Sequence, residues 1–557
     1  MQMIQLGFGL LGGLGLFLYG MDVMSEGIHK RAGNRMRHIL NRLTTSRFTG
    51  VLTGCSITAI VQSSSATTVM LVSLVNAGLI SLTQAIGVIM GANIGTTMTA
   101  WLVALIGFKI KITAFALPII GLSLPFFFSK FEKRREIAQI MIGFGLLFLG
   151  LHVMKDAVPD LKSHAEILAF VTHISNYGFF SVLLFVFIGT VITVIVQSSS
   201  AAMAITIMMA YKGWITFPLA AAIVLGENIG TTITANLAAL GMNTGAKRAA
   251  LAHTVFNCIG VLWVLILYYP FLHLVEMISP GTMADPKDMP VMLSVFHSIF
   301  NVLNTTLLIG FVQPISRCVT RILPLHKAEL PQAYEIPLVP AHIPEALESN
   351  LITAQAEIGR FAEIVQDILL QVLKMSGLST AEEARQLKSE IAESEAYTDE
   401  IQETITHFLT ECTVDSMSER QATMLNNYQR ITNELESIAD SCLNMAALFA
   451  KRTERHYKLH KKGTAQLHNY ITQVLEFLRY NRDFLTHTIT EYQYETALQM
   501  EQSINNERDH LRRLSRKKIA KGADIRAELF FIDVVRHLEH IGDYSLNISQ
   551  AIRQIEA

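Results

Sequence analysis

The sequence predicts an all-α protein: a polytopic membrane domain of two inverted repeats with re-entrant helical hairpins, followed by a helical bundle of two three-helix units. Three observations predict it. Of 557 residues, 51% are hydrophobic and 16% charged, where a soluble domain carries roughly a quarter charged. The apolar runs stop at about Leu330, beyond which Glu, Lys, Arg, Gln and Asp recur every few residues. Within the apolar part, the same polar interruptions occur twice in matching order. The expected division is 1–330 for the membrane domain and 340–557 for the soluble one. Inside the first, repeat one covers about 5–128, repeat two about 137–272, and an extra helix about 291–312.

Bulk properties exclude several classes. The net charge of −1 averages two unlike halves, and no nucleic-acid partner is expected. Cys55, Cys258, Cys318, Cys412 and Cys442 form no C-x-x-C pair, so neither a disulfide framework nor a zinc site is indicated. Met1–Met24 lacks a basic leading segment and is long enough to remain a membrane helix. No phosphate-binding G-x-x-x-x-G-K-[ST] loop occurs, which argues against an ATP-driven pump.

The expected spans begin with Ile4–Met24. A basic loop follows, with Lys30, Arg31, Arg35, Arg37, Arg42 and Arg47 and no acid from Ile28 to Arg47. A second basic cluster, Lys130, Lys133, Arg134 and Arg135, follows Phe128. Basic loops favour the cytoplasm, which puts the N-terminus outside. Gly50–Ile80 then enters and leaves on the cytoplasmic side. Leu82–Ile106, Ile112–Phe128 and Ile137–Met154 alternate. Phe179–Lys212 is a second hairpin, entering from outside. Phe217–Leu240, Leu251–Leu272 and Val291–Val312 complete the set and deliver the soluble half to the cytoplasm.

The repeat is explicit. Gly15–Met24 resembles Gly145–Met154, Thr58–Ala66 matches Thr193–Ala201, and Gly91–Thr97 matches Gly226–Thr232. The last two pairs share one offset, since 197 − 62 and 228 − 93 both give 135. In this topology the first copy starts outside and the second inside. Inverted repeats interrupted at corresponding places mark secondary transporters that bind substrate near the midplane.

Gln62, Ser63, Ser64 and Ser65, with Gln197, Ser198, Ser199 and Ser200, sit inside otherwise apolar segments. Three consecutive serines point about 100° apart on a helix and cannot share one packing face. Serine favours helix termini, so a helix break with a new helix starting there explains the pattern. Such a break offers free N–H groups and the positive end of a helix dipole to an oxyanion. Hydroxyls also accept, so they suit a small cation. Asn93, Thr96 and Thr97, with Asn228, Thr231 and Thr232, are expected to form a second pair of breaks loosened by glycine. Glu227 stands where the first copy has Ala92. An acid at membrane depth is a candidate coupling residue, with a site-mouth residue or protonated structural acid as the alternative. His253 and Asn257, like His297 and Asn301, share a helix face and are expected to bond between helices, with direct substrate contact as the alternative.

The soluble half reads as amphipathic helices over about 345–375, 381–412, 418–451, 464–488, 492–520 and 524–555. Glu395 and Asp399, Glu436 and Asp440, and Glu539 and Asp543 recur as acid pairs four residues apart, with Glu501 and Asn505 a weaker fourth. Like charges at this spacing repel unless neutralised, by a divalent metal or by basic side chains of adjacent helices.

The paired Gln-Ser-Ser-Ser and Asn-Ile-Gly-Thr-Thr motifs resemble the type II sodium–phosphate cotransporter family over roughly residues 5–315. The remainder resembles a PhoU domain, through His537–Asp543 and Leu435–Asp440. The resemblance implies phosphate as substrate, Na⁺ as coupling ion, a divalent metal on the PhoU-like acids, and a multi-pass protein of the bacterial inner membrane. It implies a site at Gln62–Ser65 and Gln197–Ser200 with the Asn and Thr residues nearby. Expected partners are inorganic phosphate, sodium and the lipid bilayer, with a homo-oligomer as an option. The expected activity is sodium–phosphate symport rather than enzymatic catalysis. Phosphate export and membrane-bound phosphate sensing are the competing readings.

Overall fold

The computed structural model describes residues 2–43, 46–109, 113–157, 178–324, 336–340, 346–413, 417–459, 462–486 and 492–556. Among these the regular structure is helical and no strand occurs. The chain divides into two compact units, Met1–His326 with Val339–Ser349, and Lys327–Leu338 with Asn350–Ala557.

The first unit begins with α1 (Gln2–Leu43), α2 (Arg47–Val61), α3 (Ser64–Asn76) and α4 (Leu82–Trp101), the last continued by a π-helical stretch to Lys109. Next come α5 (Thr113–Phe127), α6 (Glu132–Ala157), α7 (Phe179–Val196), α8 (Ser199–Tyr211), α9 (Phe217–Gly230) and α10 (Thr232–Ala238). It ends with α11 (Thr244–Ile266), α12 (Tyr268–Ile278), α13 (Met289–Leu308) and α14 (Val312–Ile322). Among the described residues, seven segments are long and apolar enough to cross a bilayer, including Phe8–Ile28, Leu82–Phe108 and Phe217–Ala238. The protein is therefore a multi-pass membrane protein. By contrast α2 and α3, at 15 and 13 residues, fall short of the roughly 20 that a span needs.

Two corrections to the sequence reading follow from local chemistry. The stretch from Ile28 is no loop: α1 runs on to Leu43, because no proline interrupts it. The Asn-Ile-Gly-Thr-Thr segment does not break α4, which passes through it; only the second copy is interrupted, at Thr231 between α9 and α10. The glycine there serves close approach instead. A Cβ on Gly95 would collide with the Cys55 carbonyl and the Thr58 side chain of α2.

Glycines set the principal crossings. A Cβ on Gly13 would strike Met154, and one on Gly143 would strike Met24. Numbers rise along α1 as they fall along α6, so these helices run antiparallel. Gly87 lies on Arg47, Gly91 on Val51 and Gly95 on Cys55. Both series rise together, so α2 and α4 are parallel and α3 must carry the chain back between them. Gly226 on Val186 and Gly230 on Thr190 make α7 and α9 parallel in the same way. An aromatic core adjoins this framework, with Phe296 edge-on to Phe217 and Phe271 at centroid distances of 6.4 and 5.4 Å.

The second unit holds α15 (Ala346–Ser376), α16 (Ala381–Glu411), α17 (Glu419–Glu454), α18 (Gly463–Leu485), α19 (Tyr494–Ile519) and α20 (Ile525–Glu556). Polar bonds lock the apolar stripes together. Arg430 donates to Gln550 Oε1 at 3.0 Å, joining α17 to α20, and Asn481 donates to the Ser545 carbonyl at 2.7 Å, joining α18 to α20.

Candidate functional site

Each short helix pair breaks in the same way. Gln62 and Gln197 adopt left-handed backbone, with φ of 61° and 54°, at the ends of α2 and α7. For a residue other than glycine this costs roughly 1–3 kcal/mol and is a pointer to function. The following serine is extended and caps the next helix. Ser63 Oγ accepts from Ala66 N at 3.1 Å, and Ser198 Oγ from Ala201 N at 3.3 Å. The first N–H groups of α3 and α8 have no partner within their helices, and the serine runs place both ends in polar surroundings.

The two breaks meet. A cavity of about 500 Å³ is lined by Gln62–Ser65 of the first and Gln197–Ser200 of the second, closed on one side by α1 through Tyr19, Asp22 and Ser25. Its polar groups are serine hydroxyls, the Tyr19 phenol, two glutamine amides and one carboxylate. Ser25 Oγ also donates to the Val61 carbonyl at 3.2 Å, which ties α1 to the end of α2. Gln62 is held from α4, where Thr99 Oγ1 donates to its Oε1 at 3.0 Å. Such a space can take a small oxyanion through N–H and O–H donors and a small cation through oxygen lone pairs.

The sequence reading missed the α1 contribution. Its signal was present: Asp22 is an acid inside an apolar segment, which is the criterion that singled out Glu227. Of the other expected residues, Asn93, Thr96, Thr97, Asn228, Thr231 and Thr232 do not line the cavity. Their side chains turn back onto their own helices. Asn93 Nδ2 donates to the Ile89 carbonyl at 3.0 Å and Asn228 Nδ2 to Val224 at 2.8 Å. Thr96 and Thr231 donate to Ala92 and Glu227 carbonyls, both at 2.9 Å, and Thr97 and Thr232 to Ile94 and Ile229 at 2.8 and 2.9 Å. Glu227 is buried, 2% exposed, away from the lining. Its Oε1 accepts from Thr206 Oγ1 at 2.7 Å, and Oε2 has no partner among the described residues. The expected interhelical bonds of the His–Asn pairs are also replaced by local ones, from Asn257 and Asn301 to the His253 and His297 carbonyls.

In the soluble unit the acid pairs diverge. Glu395 and Asp399 of α16 face Glu436 and Asp440 of α17, and Glu395 is pushed above the usual carboxylate range by burial and then by Asp399, Asp440 and Glu436. Glu539 is instead neutralised by α19, bonding to Arg508 and lying 3.7 Å from Arg512. Asp543 is raised by burial and by Glu539. Among the described residues no group of three or more metal-ligating side chains converges. This corrects the expected divalent metal: no such group forms among the described residues, and Glu539 of the third pair already has basic partners.

Residues 16–156 and 171–273 match the Na⁺/Pi-cotransporter family, and residues 471–552 match the PhoU domain. The chain is 29% identical over 309 residues to YjbB of Escherichia coli (strain K12), named as a candidate inorganic phosphate export protein; the match covers 55% of this chain and 54% of that one. The chain thus spans about half the length of YjbB. It is 32% identical over 311 residues to the uncharacterized YqeW of Bacillus subtilis (strain 168), covering 55% of this chain and 95% of YqeW. A segment of 98 residues is 39% identical to sodium-dependent phosphate transport protein 2A of Rattus norvegicus, covering 17% of this chain and 15% of that protein. No solved structure matches. With its helical membrane unit and its C-terminal PhoU domain, this chain belongs to the Na⁺/Pi-cotransporter family.

Proposed function

We propose that this protein is a secondary active transporter that couples inorganic phosphate to Na⁺ across a bacterial inner membrane, without catalysing a chemical reaction. One observation carries the reading: both serine-rich breaks open onto a single cavity. Phosphate is held by the N–H groups and hydroxyls of Ser63–Ser65 and Ser198–Ser200, with two helix dipoles aimed at it. The glutamines and serine lone pairs supply oxygen to Na⁺. The antiparallel crossing of α1 and α6, the first helices of the two halves, supports inverted repeats. The parallel pairs α2/α4 and α7/α9 support re-entrant hairpins. Alternating access then follows from rocking one half against the other around the cavity. The basic residues of α1 and of the segment before α6 favour an N-terminus outside and a cytoplasmic PhoU domain, which regulates flux.

The test is radiolabelled phosphate uptake into proteoliposomes with and without an inward Na⁺ gradient, for wild type, Ser64→Ala and Ser199→Ala. Sodium-driven uptake in wild type, reduced about tenfold or more in each variant, is expected. Sodium-independent flux would favour the second reading, phosphate export, which the name of YjbB motivates. Phosphate binding with no flux would replace transport by sensing. Glu227, as the candidate coupling residue, is tested by the same assay: unaltered pH and voltage dependence in Glu227→Gln would remove it.

A further inference from the structure

The cavity has an unbalanced charge. Among the described residues that line it, Asp22 is the one carboxylate, and no lysine or arginine accompanies it. The nearest lysine or arginine along α1, Lys30, is bound to Glu26 at 2.6 Å and lies two turns beyond Asp22. The positive contributions are the ends of α3 and α8, each equivalent to roughly half an elementary charge. Together these offset Asp22 and leave nothing for an anion. An oxyanion cannot sit among Ser63–Ser65 and Ser198–Ser200, beside this carboxylate, unless a cation comes with it.

We infer that Asp22 is the cation-holding group of the cavity: its carboxylate, with hydroxyl oxygens of the surrounding serines, takes a monovalent cation, and that cation makes the serine breaks able to hold phosphate. Asp22 is exposed to the cavity rather than packed in the core, and Ser25, three residues on, lines the same space. The anchor has no twin. The aligned residue of the second half is His152, which lies outside the lining and pairs with Asp156 at 3.2 Å. The two halves thus supply the anion donors symmetrically and the cation ligand from one side alone.

The inference rests on the proposed phosphate site, and the experiment separates the two. Equilibrium binding of [³²P]phosphate and of ²²Na⁺ is measured on the full chain in detergent, in NaCl or choline chloride at one pH. Wild type should bind ²²Na⁺ and gain about tenfold or more in phosphate affinity on adding Na⁺. Asp22→Asn should lose saturable ²²Na⁺ binding and retain less than about threefold stimulation, while binding phosphate in choline at least as well as wild type. Asp22→Glu should restore the stimulation in part. Undiminished stimulation or ²²Na⁺ binding in Asp22→Asn would overturn the inference, as would sodium-independent phosphate binding by wild type. Failure of wild type to bind phosphate at all would remove the proposed function, and the ²²Na⁺ comparison would still decide the role of Asp22.

Discussion

The two halves of the membrane unit share a backbone and differ in their braces. At the common offset of 135, Gly54, Gly91 and Gly95 lie on the carbonyls of Val88, Val51 and Cys55, and Gly189, Gly226 and Gly230 lie on those of Ile223, Val186 and Thr190. Side chains do not follow suit. In the first half Thr99 holds Gln62 at 3.0 Å and Thr58 bonds across the break to Thr67 at 3.0 Å. Their counterparts bond locally: Thr234 to the Thr231 carbonyl at 3.1 Å and Thr193 to the Gly189 carbonyl at 2.9 Å. Conversely, Leu71 and Ala92 are both apolar, where Thr206 and Glu227 form a buried hydrogen bond at 2.7 Å. Close backbone packing fixes where the breaks fall, and so is duplicated. The bonds that stiffen each break are free to diverge: the first half ties Gln62 to α4 and spans its break, whereas the second ties α7 and α8 to α9, through Thr190 Oγ1 to the Gly226 carbonyl at 3.1 Å and through Thr206 to Glu227.

The largest expected effect tests the shared part. Gly91→Val and Gly226→Val each drive side-chain atoms into a carbonyl of the neighbouring helix, at a cost of about 3 kcal/mol or more. Both should fall sharply in thermal stability after detergent purification; tolerance at one site alone would break the equivalence of the two crossings. The next test is the divergent pair. Thr206→Leu strands the Glu227 carboxyl and should cost about 2 kcal/mol. Adding Glu227→Ala recreates the first-half pair and should recover that loss, so a double-mutant cycle on melting temperature should be strongly non-additive. Additive effects would mean that Thr206 and Glu227 are not coupled. A smaller effect, about 1 kcal/mol, is expected for Thr99→Val, which frees Gln62. Thr234→Val should be milder, since its bond is local; equal losses would erase the proposed difference in bracing.

Much of this was legible in the sequence because it rests on local chemistry. Three consecutive serines after a glutamine cannot pack on one helix face, and the helices do break there. Amphipathic periodicity placed all six soluble helices within three residues of their observed ends. Three things were not legible. Glycine in Asn-Ile-Gly-Thr-Thr reads equally as a loosened helix or as a close crossing, and only the neighbour at Cys55 or Thr190 decides. The basic stretch after Ile28 has a loop's composition, Gly33 included, but no proline, and α1 continues through it. Asp22 stands out as an acid among apolar residues, but that it reaches the cavity is a tertiary fact, set by α1 passing both breaks.

The soluble unit offers the same kind of contrast on a smaller energy scale. Glu395 faces three other carboxylates across α16 and α17, whereas Glu539 faces Arg508 and Arg512 across α19 and α20. The Glu395 carboxyl is raised in the folded protein by burial and by those neighbours. A raised acid favours its protonated form in the fold, so the stability tied to it is present at low pH and lost as pH rises through the folded value. Glu395→Gln should therefore protect α16 and α17 against hydrogen exchange at neutral pH by a few tenths of a kcal/mol, screening by solvent keeping the gain small. The gain should vanish below the ordinary carboxylate range. Glu539→Gln removes an ion pair instead and should weaken protection in α19 and α20 by up to about 1 kcal/mol. If both substitutions weaken protection, the Glu395 carboxyl is not raised in the fold, and neither burial nor its acidic neighbours destabilise α16 and α17 at neutral pH.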